Sequence, residues 1–151
     1  MCNMGSMRWS KRKICKSILG LLAVGLVGIQ FIPVVRSNPP ILAEIEAPEE
    51  VLTIFRRACY DCHSNETIWP WYSYVAPVSW LVESDVKVGR SNVNFSEWNK
   101  YSQKLQNLKR YKIGEEVEEG EMPLWYYLPL HSEAKLSQAD IDLIISWSDD
   151  E

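Results

Sequence analysis

The sequence predicts an all-α domain preceded by one membrane-length helix, and three observations predict it. Apolar residues recur at helical spacing in four stretches after residue 48, and nowhere do apolar and polar residues alternate as in a half-buried strand. Near the N-terminus, 19 consecutive residues carry no charge.

Residues 1–16 form a basic segment in which Arg8, Lys11, Arg12, Lys13 and Lys16 precede the apolar run. Residues 17–35, from Ser17 to Val35, are the uncharged run. As a helix it would span roughly 28 Å, close to the thickness of a bilayer core. The basic residues before it assign the N-terminus to the cytoplasmic face, which places everything after Arg36 in the periplasm or its equivalent. The alternative is a cleaved secretory signal, but small residues suited to cleavage are poorly represented and the run exceeds a usual signal core. An uncleaved single-pass anchor in the cytoplasmic membrane is therefore expected. Residues 36–47, with Asn38-Pro39-Pro40, read as a stiff linker.

The domain is expected over 48–151. Pro48 opens its first helix, with Glu49 and Glu50 where the helix dipole favours negative charge. Val51, Ile54, Phe55, Ala58 and Cys62 follow on one face. Trp69-Pro70-Trp71-Tyr72-Ser73-Tyr74 reads as too broken for a helix. Pro77 starts the second helix, with Val78, Leu81, Val82 and Val86 as its apolar side before Gly89. Ser96 is the expected N-cap of the third, which carries Trp98, Tyr101, Leu105 and Leu108 and stops at Gly114. Glu115 to Glu121 then reads as an acidic loop. Ser137 and Asp140 form a capping box for the last helix, with Leu136 and Ile141 as a hydrophobic staple and Ile144, Ile145 and Trp147 facing inward.

Charge narrows the function. From Arg36 onward there are 11 basic and 20 acidic residues, a net charge of −9, which argues against nucleic acid as a partner. Seven tryptophans and seven tyrosines in so short a chain supply the flat apolar surface that a large planar ligand needs covered, although such residues also fill ordinary cores.

The chemistry is concentrated at Cys59-Tyr60-Asp61-Cys62-His63. Two thiols separated by two residues can both reach the vinyl edge of a porphyrin, and a histidine directly after the second stands ready as an iron ligand. This is the pattern for covalent attachment of one haem c per chain. A disulfide between Cys59 and Cys62 would leave His63 without a role. A thioredoxin-like pair would need a βαβ setting. A zinc site from Cys59, Cys62, His63 and His131 would require adjacent Cys62 and His63 to converge on one tetrahedral ion. For the other side of the iron, Met122 in Gly120-Glu121-Met122-Pro123 is the first candidate, with His131 as the alternative and an open position as a third arrangement. Methionine–histidine ligation raises the reduction potential and suits an electron carrier.

The run Ala58 to Thr67, followed by Trp69-Pro70-Trp71-Tyr72 and Ala76-Pro77-Val78-Ser79-Trp80, resembles the bacterial haem-binding domain family with a single CxxCH. Asn94-Phe95-Ser96-Glu97-Trp98, Met122-Pro123, His131, Ala134 and Leu136-Ser137 fit it too, so the likeness covers about Pro48 to Trp147. The resemblance implies a cytochrome c-like helical plan around one haem, held by Cys59, Cys62 and His63, with Met122 as axial partner. It also implies a periplasmic or membrane-attached protein, found alongside or fused to di-haem cytochrome c peroxidases. The chain departs from the commonest pattern at Leu124, where a second proline often follows Met-Pro.

A membrane-anchored mono-haem cytochrome is the function expected: a non-enzymatic electron carrier serving a redox partner protein such as a di-haem peroxidase or a respiratory complex. A haem-based ligand sensor, or an accessory haem domain of a peroxidase system, is the alternative.

Overall fold

The computed structural model describes residues 11–149. Six α-helices follow in order: α1 Lys11–Gly28, α2 Glu49–Ala58, α3 Tyr60–His63, α4 Val78–Asn92, α5 Gln103–Glu118 and α6 Gln138–Asp149. Short 3-10 turns lie at Ile29–Phe31, Trp71–Tyr74, Trp98–Lys100, Leu128–Leu130 and Ser132–Ala134. Among the described residues the one extended pairing is an isolated bridge between Ala43 and Glu97. The fold is helical, as the periodicity predicts.

From Lys13 to Phe31 the chain is long and apolar enough to cross a membrane, and none of it is buried. The helical run stops at Phe31, short of the expected Val35. Pro33 has no N–H to continue the ladder and forces Ile32 into an extended conformation (φ −75°, ψ 118°).

Residues 36–47 were expected to form a linker but are bonded into the domain. Leu42 and Ala43 N–H both donate to Ser96 O, Trp98 N–H donates to Ala43 O, and Ile45 is buried in the core. Asn38 Nδ2 reaches Thr67 O at 2.9 Å.

Val51, Ile54, Phe55 and Ala58 of α2 are all buried, as their spacing requires. Phe55 is fully enclosed, 5.1 Å from Phe95 and 5.3 Å from Trp147 between ring centres. Burying one such side chain contributes about 1.5–3 kcal/mol. α5 packs along α6, and α6 packs against α2, so Val117, Ile144 and Trp147 close the core. The capping box of α6 forms: Ser137 N–H donates to Asp140 Oδ2 at 2.7 Å and Asp140 N–H to Ser137 Oγ at 3.2 Å.

Four local expectations are corrected. Trp71–Tyr74 closes a 3-10 turn despite Pro70. α4 buries Ser79, Val86 and Gly89, and leaves Val78 and Leu81 exposed. Ser96 caps no helix; it is buried, its Oγ accepting from Asn65 N–H at 2.9 Å, and α5 begins only after Ser102. Gly114 does not stop α5, which runs on to Glu118 and so converts most of the expected acidic loop into helix. A Cβ at Gly114 would collide with Ser148 of α6, so this glycine serves helix contact. The turn after α5 falls at Gly120, where φ is +73°.

Candidate functional site

The CxxCH run is itself helical. Cys59 N–H donates to Phe55 O at 2.8 Å, and His63 N–H donates back to Cys59 O at 2.9 Å. This single turn of α3 turns Cys59, Cys62 and His63 towards one cavity of about 600 Å³. Val88, Gly89, Val93 and Phe95 continue the wall on that side. Leu105, Leu108, Ile113 and Val117 of α5 supply another, and the loop Met122–Tyr127 brings Met122, Leu124 and Tyr126 to the same space.

Close packing behind the motif fixes its position. Gly89 lies so near that a Cβ there would sit 2.5 Å from the Cys62 carbonyl oxygen. Phe95 N–H donates to His63 O at 2.7 Å, and the Phe95 and His63 rings stack at 5.8 Å. Arg90 Nε donates to Ser64 O at 2.7 Å. Asp61, inside the motif, accepts from Ile68 N–H at 2.8 Å and from the Tyr127 hydroxyl at 2.7 Å, tying the motif to the loop after Met122.

His63 is buried, with one ring nitrogen engaged by the backbone. Its Nδ1 faces Val93 O at 3.3 Å, and since a carbonyl only accepts, Nδ1 carries the proton. Burial lowers its pKa, against raising contributions from the Val93 and Gly89 backbone. The ring is therefore neutral at neutral pH with its lone pair on Nε2, the form in which an imidazole whose other nitrogen donates to a carbonyl can bind iron. Burial likewise pushes both cysteine thiols up to about 12, so they remain protonated. Cys59 and Cys62 are free. Among the described residues no three His, Cys, Asp or Glu side chains converge closely enough to hold one metal ion, and His131 lies outside the cavity that Cys59, Cys62 and His63 line.

The two candidates for the far side of the iron are placed differently. Met122 is half-buried on the cavity, its N–H bonded to Glu116 O at 3.1 Å. His131 is absent from the lining. Its ring stacks on Tyr127 at 4.0 Å, its Nε2 lies 2.7 Å from the Tyr72 hydroxyl, and its Nδ1 lies 2.9 Å from Glu133 Oε1.

A haem fits what the chain presents. Val88, Leu105 and Leu108 are 52%, 38% and 54% exposed, large apolar side chains left uncovered around a cavity that also holds a neutral histidine, two thiols and a thioether. A planar aromatic ligand would cover them. Gly89, Phe95, Arg90 and Tyr127 escaped the sequence reading as site residues. Gly89 carried a signal, since a glycine inside a helix costs about 1 kcal/mol and asks for a packing reason, and Phe95 stood in one block of the resemblance.

The family model described as the haem-binding domain matches residues 24–150, which takes in the bonded segment 36–47 as well as α2 to α6. No curated protein and no solved structure matches the chain. With a match over most of its length, the chain belongs to the haem-binding domain family.

Proposed function

We propose that this protein is a membrane-anchored mono-haem c-type cytochrome that carries electrons on the periplasmic side of the cytoplasmic membrane. The observation that carries the reading is that His63, Cys59, Cys62 and Met122 line one cavity together with the exposed Leu105 and Leu108. When bound, the haem supplies a one-electron couple. Cys59 and Cys62 would hold it as thioethers, and His63 and Met122 would ligate the iron. Val93 O keeps the His63 ring in its ligating tautomer, and the Asp61–Tyr127 bond holds the Met122 loop against the motif. α1 supplies the anchor, and the basic residues ahead of its apolar run assign the domain to the far side of the membrane. The acidic surface favours a redox partner with a basic face, such as a di-haem peroxidase or a respiratory complex.

The test is a pyridine haemochrome spectrum together with an intact mass on chain made in an export- and maturation-competent host. A c-type spectrum and one added haem mass are expected. A polypeptide weighing no more than its amino acids would overturn covalent attachment.

A further inference from the structure

The segment that follows α1 is clasped by the domain. Gln30 Nε2 donates to Ala76 O at 3.1 Å, and Gln30 Oε1 accepts from Ala76 N–H at 3.0 Å, so one side chain engages both backbone groups of one residue. Val35 N–H donates to Glu83 Oε1 at 3.1 Å. Arg36 donates to Ser73 O at 2.9 Å, and its guanidinium lies 4.3 Å from the centre of the Tyr74 ring. A clasp this dense fixes which face of the domain meets whatever surface α1 emerges from.

That face is apolar and uncovered. Trp71 is 74% exposed, Tyr74 60%, Val75 45% and Val78 43%, and Phe31 and Ile32 beside them at the end of the helix are also exposed. We propose that Trp71, Tyr74, Val75 and Val78 form a lipid-binding face seated in the headgroup layer of the bilayer that α1 crosses, an inference resting on the anchor reading above. A helix ending at Phe31 puts Gln30 near the edge of the hydrocarbon, and Ala76, bonded to it, lies at nearly the same depth. Tryptophan and tyrosine favour that layer because one end of each ring system is apolar and the other hydrogen-bonds water. Arg36 adds a cation at the level of the lipid phosphates. A protein partner would have to share this patch with the bilayer that Gln30 holds beside it, so lipid is the occupant. The haem cavity is then presented at one fixed height and angle, and a redox partner must come to it.

The full chain with its haem in place, so that Cys59 and Cys62 are spent in thioethers, carries Cys2→Ser and Cys15→Ser and is labelled with a fluorophore in turn through Trp71→Cys, Val75→Cys or Leu143→Cys. It is reconstituted in vesicles of phosphatidylethanolamine and phosphatidylglycerol, with and without a doxyl-lipid quencher. Labels at 71 and 75 are expected to lose on the order of half their emission to the quencher, and the label at 143, on α6, almost none. Suppose the vesicles keep the chain through alkaline carbonate washing, yet 71 and 75 are quenched no more than 143. The lipid seat is then overturned while the anchor stands. If washing releases the chain, anchor and seat fall together.

Discussion

The two sides of the cavity are built on different principles. On the Cys59–His63 side, polar groups are buried and satisfied: Asn94 Nδ2 donates to Asn65 Oδ1 at 2.8 Å, Asn65 Nδ2 to Pro40 O at 3.0 Å, and Ser96 N–H to Asn94 Oδ1 at 3.0 Å. Satisfied buried networks hold a backbone in one arrangement. On the side of α5 and the Met122 loop, Leu105 and Leu108 stand exposed, and the Glu121 and Met122 N–H groups hang on one acceptor, Glu116 O. The first side has its polar network complete as folded protein and leaves only Val88 uncovered; the second gains most of its packing when a ligand fills the cavity. On the proposed function, attachment would fall on the stiff side, where two thiols and an imidazole must be held in register, and the adjustable ligand on the soft one.

The contrast breaks most easily at Phe95. This ring touches Phe55, Tyr60 and His63, at 5.1, 5.5 and 5.8 Å between centres, and is almost wholly buried. Phe95→Ala is expected to cost about 3–5 kcal/mol, read by denaturant unfolding of the detergent-solubilised chain. A loss below about 1 kcal/mol would mean that the stiff side does not depend on this packing.

Gly89→Ala tests the same side through the backbone. Alanine gains about 1 kcal/mol of helix propensity over glycine. Its Cβ, however, would stand 2.5 Å from a carbonyl oxygen of the motif, which cannot swing away as a side-chain tip can. Overpacking of that kind costs about 1–3 kcal/mol, so the strain should win, and melting temperature and haem incorporation should fall together. Greater stability in the variant would show that the motif backbone is free to shift.

Met122→Leu probes the soft side. The volumes are nearly equal, so stability should change by less than about 1.5 kcal/mol. On the proposed ligation the reduction potential falls, and the reduced protein gains rapid carbon monoxide binding. An unchanged potential and continued inertness to carbon monoxide would remove Met122 from the iron.

Features decided within a few residues were legible in the sequence. α2 follows from Val51, Ile54, Phe55 and Ala58, and the start of α6 from Ser137 and Asp140, because helical spacing and capping are local matters. Features decided by a distant partner were misread. Gly114 looked like a stop because its contact with Ser148 is made by another helix, and Ser96 looked like a cap because its real partner is Asn65. Val78 and Leu81 looked like a core face because α4 is packed instead through the small residues Ser79 and Gly89. At the site the motif was plain, while Met122 stood only as the first candidate beside His131. What separates Met122 from His131 is tertiary: one lines the cavity, while the other is bonded to Tyr72 and Glu133 away from it.

The smallest expected effect lies where the two sides are joined. Arg57, two residues before Cys59, donates to Glu133 O at 2.8 Å and pairs with Asp140 Oδ1 of α6 at 2.7 Å. Asp140 is held down to about 2 from an ordinary 3.8, first by its hydrogen bond from the Ser137 hydroxyl and then by the Ser137 backbone and Arg57. A carboxylate whose folded pKa lies below its unfolded value adds stability that is complete above the unfolded value. That stability disappears as pH falls from about 3.8 to about 2. The pair is partly exposed, so solvent screens it and most of the benefit is the cap. Asp140→Asn should therefore cost about 0.5–1 kcal/mol at neutral pH and flatten the acid side of the stability curve over that interval. The haem spectrum should not change, because Asp140 couples the helices without touching the cavity. A shifted spectrum would mean that the join between α2 and α6 positions the motif as well as the fold.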